Sequence, residues 1–231
     1  MRTKDPLKHF KYPVDPSVVE NDKRWYYEKQ VQTAIKALKK KNYEVFYTPT
    51  REKAFKLVMS MLPKESKVGV GGSMTIQQLG ILKALDSGDY TFYNQYKPEL
   101  TSEEAYEMRN KGLTADYYIT GTNAITMDGE LINLDGLGNR VTGITYGPKS
   151  VLIVVGINKF VADIEEGINR VKNYAAVLNC KRLNLKTPCL ETGKCENCVA
   201  PERICNHLLI TLHQRKKGRV TIVIVGEELG F

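Results

Sequence analysis

KVGVGGSMTIQQLGILKAL, residues 67–85, passes from a strand to a helix through a glycine turn. Lys67-Val68-Gly69-Val70 has the short apolar character of a buried strand. Gly71-Gly72-Ser73 reads as the turn, and a helix follows through Leu85. Glycines at such a junction let a ligand approach the backbone, and N–H groups at a helix start favour an anion. Ser73 and Thr75 can add hydroxyl donors. Met74 stands where G-x-G-x-x-G requires its last glycine, and the Walker lysine is missing, so dinucleotide and P-loop readings are poor. A purely conformational turn accounts for the same residues equally well.

The pattern on both sides repeats this alternation. Tyr27, Val31, Ala34, Ile35 and Leu38 recur at helical spacing and predict a helix over 22–41, after an N-terminal arm of residues 1–22. YEVFYT follows as a strand. Thr50 caps a second helix that carries Ala54, Leu57, Val58 and Met61 and stops at Pro63. Thr101 to Glu104 has capping-box order and predicts a helix over 103–111. Residues 116–120 read as another strand. Alternating helices and strands predict one α/β domain over 1–231 with a mainly parallel sheet flanked by helices.

Beyond residue 120 the rhythm changes. Asp128-Gly129, between ITM and ELINL, is a hairpin signal. Asp135-Gly136-Leu137-Gly138-Asn139 makes a second turn before VTGITY. Val151 to Val155 reads as a buried strand, and Val161, Ile164, Ile168 and Val171 as one face of a helix after Gly156. Leu208 to His213 and Val220 to Val225 are expected to pair as a closing hairpin around Lys217-Gly218. Thr120-Gly121-Thr122-Asn123 lies at a strand end, where open α/β sheets bind ligands. Asp135, Asn139 and Arg140 can orient a polar substrate, and Lys159 is a further anion contact. Turn chemistry alone explains the Asp-Gly and Gly-Asn pairs just as well.

Residues 180–206 form a cysteine-rich segment that reads as an insertion. Cys189, Cys195, Cys198 and Cys205 have the spacing C-x5-C-x2-C-x6-C. Thiolates are soft ligands, and four within one loop's reach can surround zinc or an iron–sulfur cluster. With one CxxC, the spacing matches neither a standard zinc ribbon nor the bacterial ferredoxin run. His207 is able to replace one thiolate, although a solvent-facing strand histidine explains it better. The isolated Cys180 reads as a small core residue.

Composition narrows the function classes. The chain of 231 residues is 42% hydrophobic and 26% charged, which fits a folded domain and argues against disorder. MRTKDPLKHFKYPVD has no apolar signal core, and the run Val151 to Val155 is too short to span a bilayer. A cytoplasmic protein is expected. Thiols there stay reduced, which favours metal over disulfides. The net charge of +8 raises nucleic acid as a partner, but the basic residues are dispersed. Lys39-Lys40-Lys41 suits a helix C-terminus, and no aromatic residues interleave with Arg215-Lys216-Lys217. Nucleic acid is therefore disfavoured. With no G-x-S-x-G elbow, and only His9, His207 and His213, an independent hydrolase is disfavoured too.

Three blocks together resemble the lactate-utilisation (LUD) domain family. They are VGVGGSMTIQQLG, the long ADYYITGTNAITMDGELINLDGLGNRVTGITYGPKSVLIVVGINKFVADIEEGINR, and the terminal IVIVGEELGF. The resemblance covers about residue 25 to the C-terminus. It implies a fold like the ribose-phosphate isomerase, glucosamine-phosphate deaminase and CoA-transferase group. It also implies one pocket lined by Gly71, Gly72, Ser73, Thr75, Thr120, Gly121, Asn123, Asp135, Asn139, Arg140 and Lys159, with Glu227 as a candidate acid or base. Family members are implicated in L-lactate oxidation within a multi-subunit, iron–sulfur-containing system. On that pattern the chain is expected to bind a small anionic hydroxy- or keto-acid. It would work with a redox partner protein, carry a [4Fe–4S] cluster on its four cysteines, and be able to form a homo-oligomer. The family's small subunit lacks such a cysteine loop, which suggests a subgroup with its own metal centre. The alternative is a non-redox binding, regulatory or transferase-like module with structural zinc.

Overall fold

The computed structural model describes Asp15 and residues 17–231. Six parallel strands form the central sheet: β1 (Glu44–Thr48), β2 (Lys67–Val70), β3 (Thr91–Tyr93), β4 (Tyr117–Thr120), β7 (Ser150–Gly156) and β10 (Val220–Val225), in the order β1-β10-β7-β4-β2-β3. A second, four-stranded sheet has the order β8-β5-β6-β9, from β5 (Ala124–Thr126), β6 (Leu131–Asp135), β8 (Phe160–Val161) and β9 (His207–Thr211). The α/β class and the mainly parallel sheet agree with the sequence pattern.

Parallel strands are covered on both faces, and so they read as unbroken apolar runs. On β7, Val151, Ile153 and Val155 face one core while Leu152 and Val154 face the other. The first core also holds Val220, Ile222 and Ile224 of β10, with Val31 and Leu38 of α1 (Ser17–Lys40). The second takes Val223 and Val225, with Ala54 and Val58 of α2 (Arg51–Ser60) and residues of α3 (Met74–Gln78) and α4 (Ile81–Ser87). Thr50 caps α2 by accepting from Lys53 N, and Thr101 closes a full capping box on α5 (Ser102–Leu113). A small third core lies beneath the second sheet, against α7 (Ile164–Arg170).

Several expectations change. The helix predicted over 22–41 begins at Ser17, so residues 17–22 are helix rather than arm. Its first turns are almost wholly exposed, and exposed turns leave no apolar period to read. The rest of the expected arm, residues 1–14 and 16, lies outside the described residues. The helix after the glycine turn is broken at Gly80, whose φ of +74° separates α3 from α4. Strand β3, at the sheet edge, has no sequence signal of its own because it spans only three residues. VTGITY is largely helical, within α6 (Asn139–Thr145). Val161 is in strand β8, and the helix starts at Ile164 behind the Asp163 cap. That helix continues through a π turn (Val171–Ala175) into α8 (Ala176–Arg182).

The largest correction concerns the end of the chain. The two final strands do not form a hairpin. β9 pairs antiparallel with β6 in the second sheet, whereas β10 inserts in parallel between β1 and β7. Burial decides between them: β10 is apolar on both faces and takes a central slot, while β9 is half exposed and suits an edge.

Candidate functional site

Because all six strands of the main sheet are parallel, their C-terminal ends share one edge. β7, β4 and β2 are consecutive neighbours, so the segments following Val70, Thr120 and Gly156 meet there. They open on a cavity of about 350 Å³ lined by Gly72, Ser73, Gly121, Asn123 and Lys159. Asp135, Asn139 and Arg140 reach it from β6 and α6. Eight of the residues expected in one pocket therefore do line one cavity. Gly71, Thr75 and Thr120 lie behind its wall.

At Gly71 and Gly121 the missing side chain makes room for neighbouring groups of the protein. A Cβ on Gly71 would come within 2.6 Å of Thr120 Oγ1 and 2.7 Å of Arg140 Cγ, and one on Gly121 within 2.6 Å of Ser73 Oγ. The space at both is taken by the protein itself, and a Cβ on Gly72, which lines the cavity, would come within 3.2 Å of Tyr96 Oη. Gly121→Ala is expected to cost about 1–3 kcal/mol through overpacking. Thermal melting would measure it, and Ser73→Ala in the same chain should recover part of the loss. An unchanged Tm for the single variant would mean that strand and turn have room to separate.

Arg140 is buried, hydrogen-bonds to the protein through all four of its Nη donors, and pairs its Nε with a carboxylate. Its Nε faces Asp135 Oδ2 at 3.2 Å. Nη1 donates to Asn133 Oδ1 at 2.6 Å and, more weakly, to Gly121 O at 3.4 Å. Nη2 donates to Asn123 Oδ1 and to Leu134 O, both at 2.8 Å. Asp135 also accepts from Gly138 N at 2.6 Å, which holds the turn that starts α6. Burial pulls Arg140 below the usual arginine value, and the Asp135 carboxylate opposes that pull. Arg140 thus pins β4, β6 and α6 together and supplies charge to the cavity without a free donor.

Lys159 is the opposite case. It is 4% exposed, and its single protein partner among the described residues is Thr75 Oγ1 at 3.0 Å. Burial lowers its pKa to about 7, with the nearby charges of Arg170 and Arg140 adding to the effect. Arg170 ties the neighbouring segments by donating to Asn123 O at 2.7 Å and Asn158 O at 3.0 Å. Asn158 in turn holds the chain end, accepting from Leu229 N and donating to Gly230 O, which sets Phe231 in the cavity wall.

Glu227 does not join this site. Its carboxylate accepts from Arg51 Nε at 2.6 Å and Arg51 N at 2.9 Å, on a separate surface concavity beside α1. Sequence reading also missed Arg109 on α5 and Arg182 at the end of α8, both of which line the cavity. They sit on helices outside any motif, so no local signal marks them.

The cysteine segment is less of an appendage than its composition suggests. Asn206 N donates to Asp135 O, Asn206 Nδ2 to Gly136 O, and Ile204 lines the cavity. Arg203 holds the carbonyls of Cys198 and Cys205, and Cys195 N donates to Asn173 in the π turn. Cys189, at the start of α9 (Cys189–Thr192), is buried with its Sγ 3.2 Å from Thr187 Oγ1. Cys180 is buried as expected but neighbours Cys189. Burial raises its thiol to about 11, with Thr187 opposing and Cys189 and Cys205 adding. Among the described residues no three Cys, His, Asp or Glu side chains converge closely enough to hold a metal ion. A [4Fe–4S] cluster or a closed zinc site would need the thiolates of Cys189, Cys195, Cys198 and Cys205 drawn together about one centre.

Fold and site together define an α/β protein whose parallel sheet carries a basic, polar cavity at its C-terminal edge. The chain belongs to the LUD domain family, whose model matches residues 31–225. Among solved structures, it is similar to a DUF162 family protein from Deinococcus radiodurans, at 14% identity and a TM-score of 0.49, covering 86% of this chain and 97% of that one. A weaker likeness is to eIF2B delta from Chaetomium thermophilum, at 12% identity and a TM-score of 0.35, covering 70% and 62%. No curated protein sequence matches the chain. No helix among the described residues is long and apolar enough to cross a membrane.

Proposed function

We propose that the cavity binds a small carboxylate-bearing metabolite of the 2-hydroxy- or 2-oxo-acid class. The carrying observation is its side-chain charge: Arg109, Arg140, Arg182 and Lys159 line it against one acidic side chain, Asp135, which is already paired with Arg140. Buried positive charge without a counter-ion is costly, and an entering anion relieves that cost. Arg109 and Arg182 still have donors to offer, whereas Arg140 provides field alone. A volume near 350 Å³ suits a small metabolite. The family's involvement in lactate utilisation points to the same substrate class. A redox component with a metal-loaded cysteine loop draws no support from the arrangement of the thiols.

Calorimetric titration with lactate and pyruvate tests this reading, with lactamide and pyruvamide as neutral controls. The acids should bind and the amides should not. Removing half-exposed Arg109 and exposed Arg182 together, Arg109→Ala with Arg182→Ala, should weaken binding by about tenfold or more while leaving the fold intact, since charge-assisted hydrogen bonds contribute roughly 1.5–3 kcal/mol each. Equal binding of acids and amides would refute it.

A further inference from the structure

The best-buried uncommitted group in the cavity is an amine, and its surroundings are unusual for a lysine. Lys159 has no carboxylate partner among the described residues, and its neighbours Arg140 and Arg170 are both cationic. A methionine would fill the same space without the cost of burying a charge. Thr75 Oγ1 donates its own hydrogen to Leu229 O at 3.3 Å, so toward Lys159 it can only accept. One N–H of Lys159 is therefore spent on Thr75, and the remaining valences of Nζ, including the lone pair of the neutral amine, face away from it. Lys159 follows directly on β7, at the sheet edge where the cavity opens.

We propose that Lys159 is a nucleophile that condenses with the carbonyl of a small 2-oxo acid to form an imine. This rests on the carboxylate-binding reading above and names a class of substrate within it. The amine lone pair attacks the keto carbon, and the carbonyl π pair moves to oxygen, which takes up a proton. The carbinolamine then loses its oxygen as one water, and C=N replaces C=O with no net oxidation or reduction. The lowered basicity of Lys159 keeps a large fraction of it neutral and reactive at neutral pH. The protonated imine leaves a cation beside the substrate carboxylate, with Arg140 and Arg170 as its neighbours. A 2-hydroxy acid has no carbonyl and can bind only without the covalent step.

The test is reductive trapping of the full chain with pyruvate and sodium cyanoborohydride at neutral pH, followed by peptide mapping, with calorimetry run on the same protein. The expected result is one saturable adduct on Lys159, lost in Lys159→Arg and Lys159→Met while any slow labelling of surface lysines persists. Labelling should slow by roughly tenfold per pH unit below the lysine pKa, as the neutral fraction falls. Saturable pyruvate binding without an adduct on Lys159 overturns the nucleophile and leaves the carboxylate reading standing. Absence of pyruvate binding by calorimetry overturns both. Because the adduct is mapped on the unmutated chain, the outcome does not depend on either variant folding.

Discussion

Arg140→Met is expected to lose about 3–5 kcal/mol of folding stability, a large share of the roughly 5–15 kcal/mol that holds a domain together. Substitution strands the buried Asp135 carboxylate and removes the donors that satisfy Gly121 O, Leu134 O and the side-chain oxygens of Asn123 and Asn133. Lysine should not rescue the position, because an ammonium has three donors on a flexible stem and lacks the planar fork. Asp135→Asn in the Arg140→Met background should recover part of the loss by discharging the orphaned carboxylate. Urea denaturation of the four chains measures each step. An Arg140→Met variant within about 1 kcal/mol of the parent would show that the guanidinium is not the pin that this geometry makes it.

The second large effect concerns pH. Affinity for a 2-hydroxy acid, which cannot condense with an amine, is expected to fall as pH rises above about 7, the value to which burial lowers Lys159. The charged groups around that amine are Arg140 with its partner Asp135, and Arg170; Arg109 and Arg182 stand elsewhere on the cavity wall. A bound carboxylate favours the ammonium, so the lysine pKa is higher in the complex than in the free protein. Below the free value both states hold the proton, and affinity is independent of pH. Between the free and bound values binding takes up a proton, and affinity drops by up to about tenfold per pH unit. Lys159→Met should bind weakly with a flat profile, and should be at least as stable as the parent because it no longer buries an amine. Calorimetry with lactate from pH 6 to 9 decides the matter. A parent profile as flat as that of Lys159→Met would remove Lys159 from the anion site.

The same lysine has a sign-specific effect on folding. Its pKa is depressed, so the unfolded chain binds more protons between about pH 7 and the ordinary lysine value. In that window this group makes the fold more stable as pH rises, and ligand binding opposes the trend.

How much could be read in advance depended on whether the deciding contact was local. Thr50, Thr101 and Asp163 cap helices through atoms three residues away, and two of these caps were visible as sequence signatures. The cavity was legible for a topological reason: Gly71 to Ser73, Thr120 to Asn123 and Lys159 all follow parallel strands, and such ends must share an edge. Arg109 and Arg182 were not legible, because they approach from helices that carry no motif.

The sequence by itself determined the alternation of helix and strand, the apolar runs that become central strands, the family, and the segments that follow each strand of the parallel sheet. Those are matters of periodicity, propensity and chain order, which act over a few residues. Tertiary structure alone decided that β9 and β10 part company, and that Arg140 commits its guanidinium to the protein while Lys159 keeps most of its donors. It also decided that the space at Gly71 and Gly121 belongs to neighbouring groups of the protein. Each of these turns on which distant groups share a desolvated interior. There a single unpaired charge or misplaced methyl costs several kcal/mol, and spacing along the chain carries no record of it.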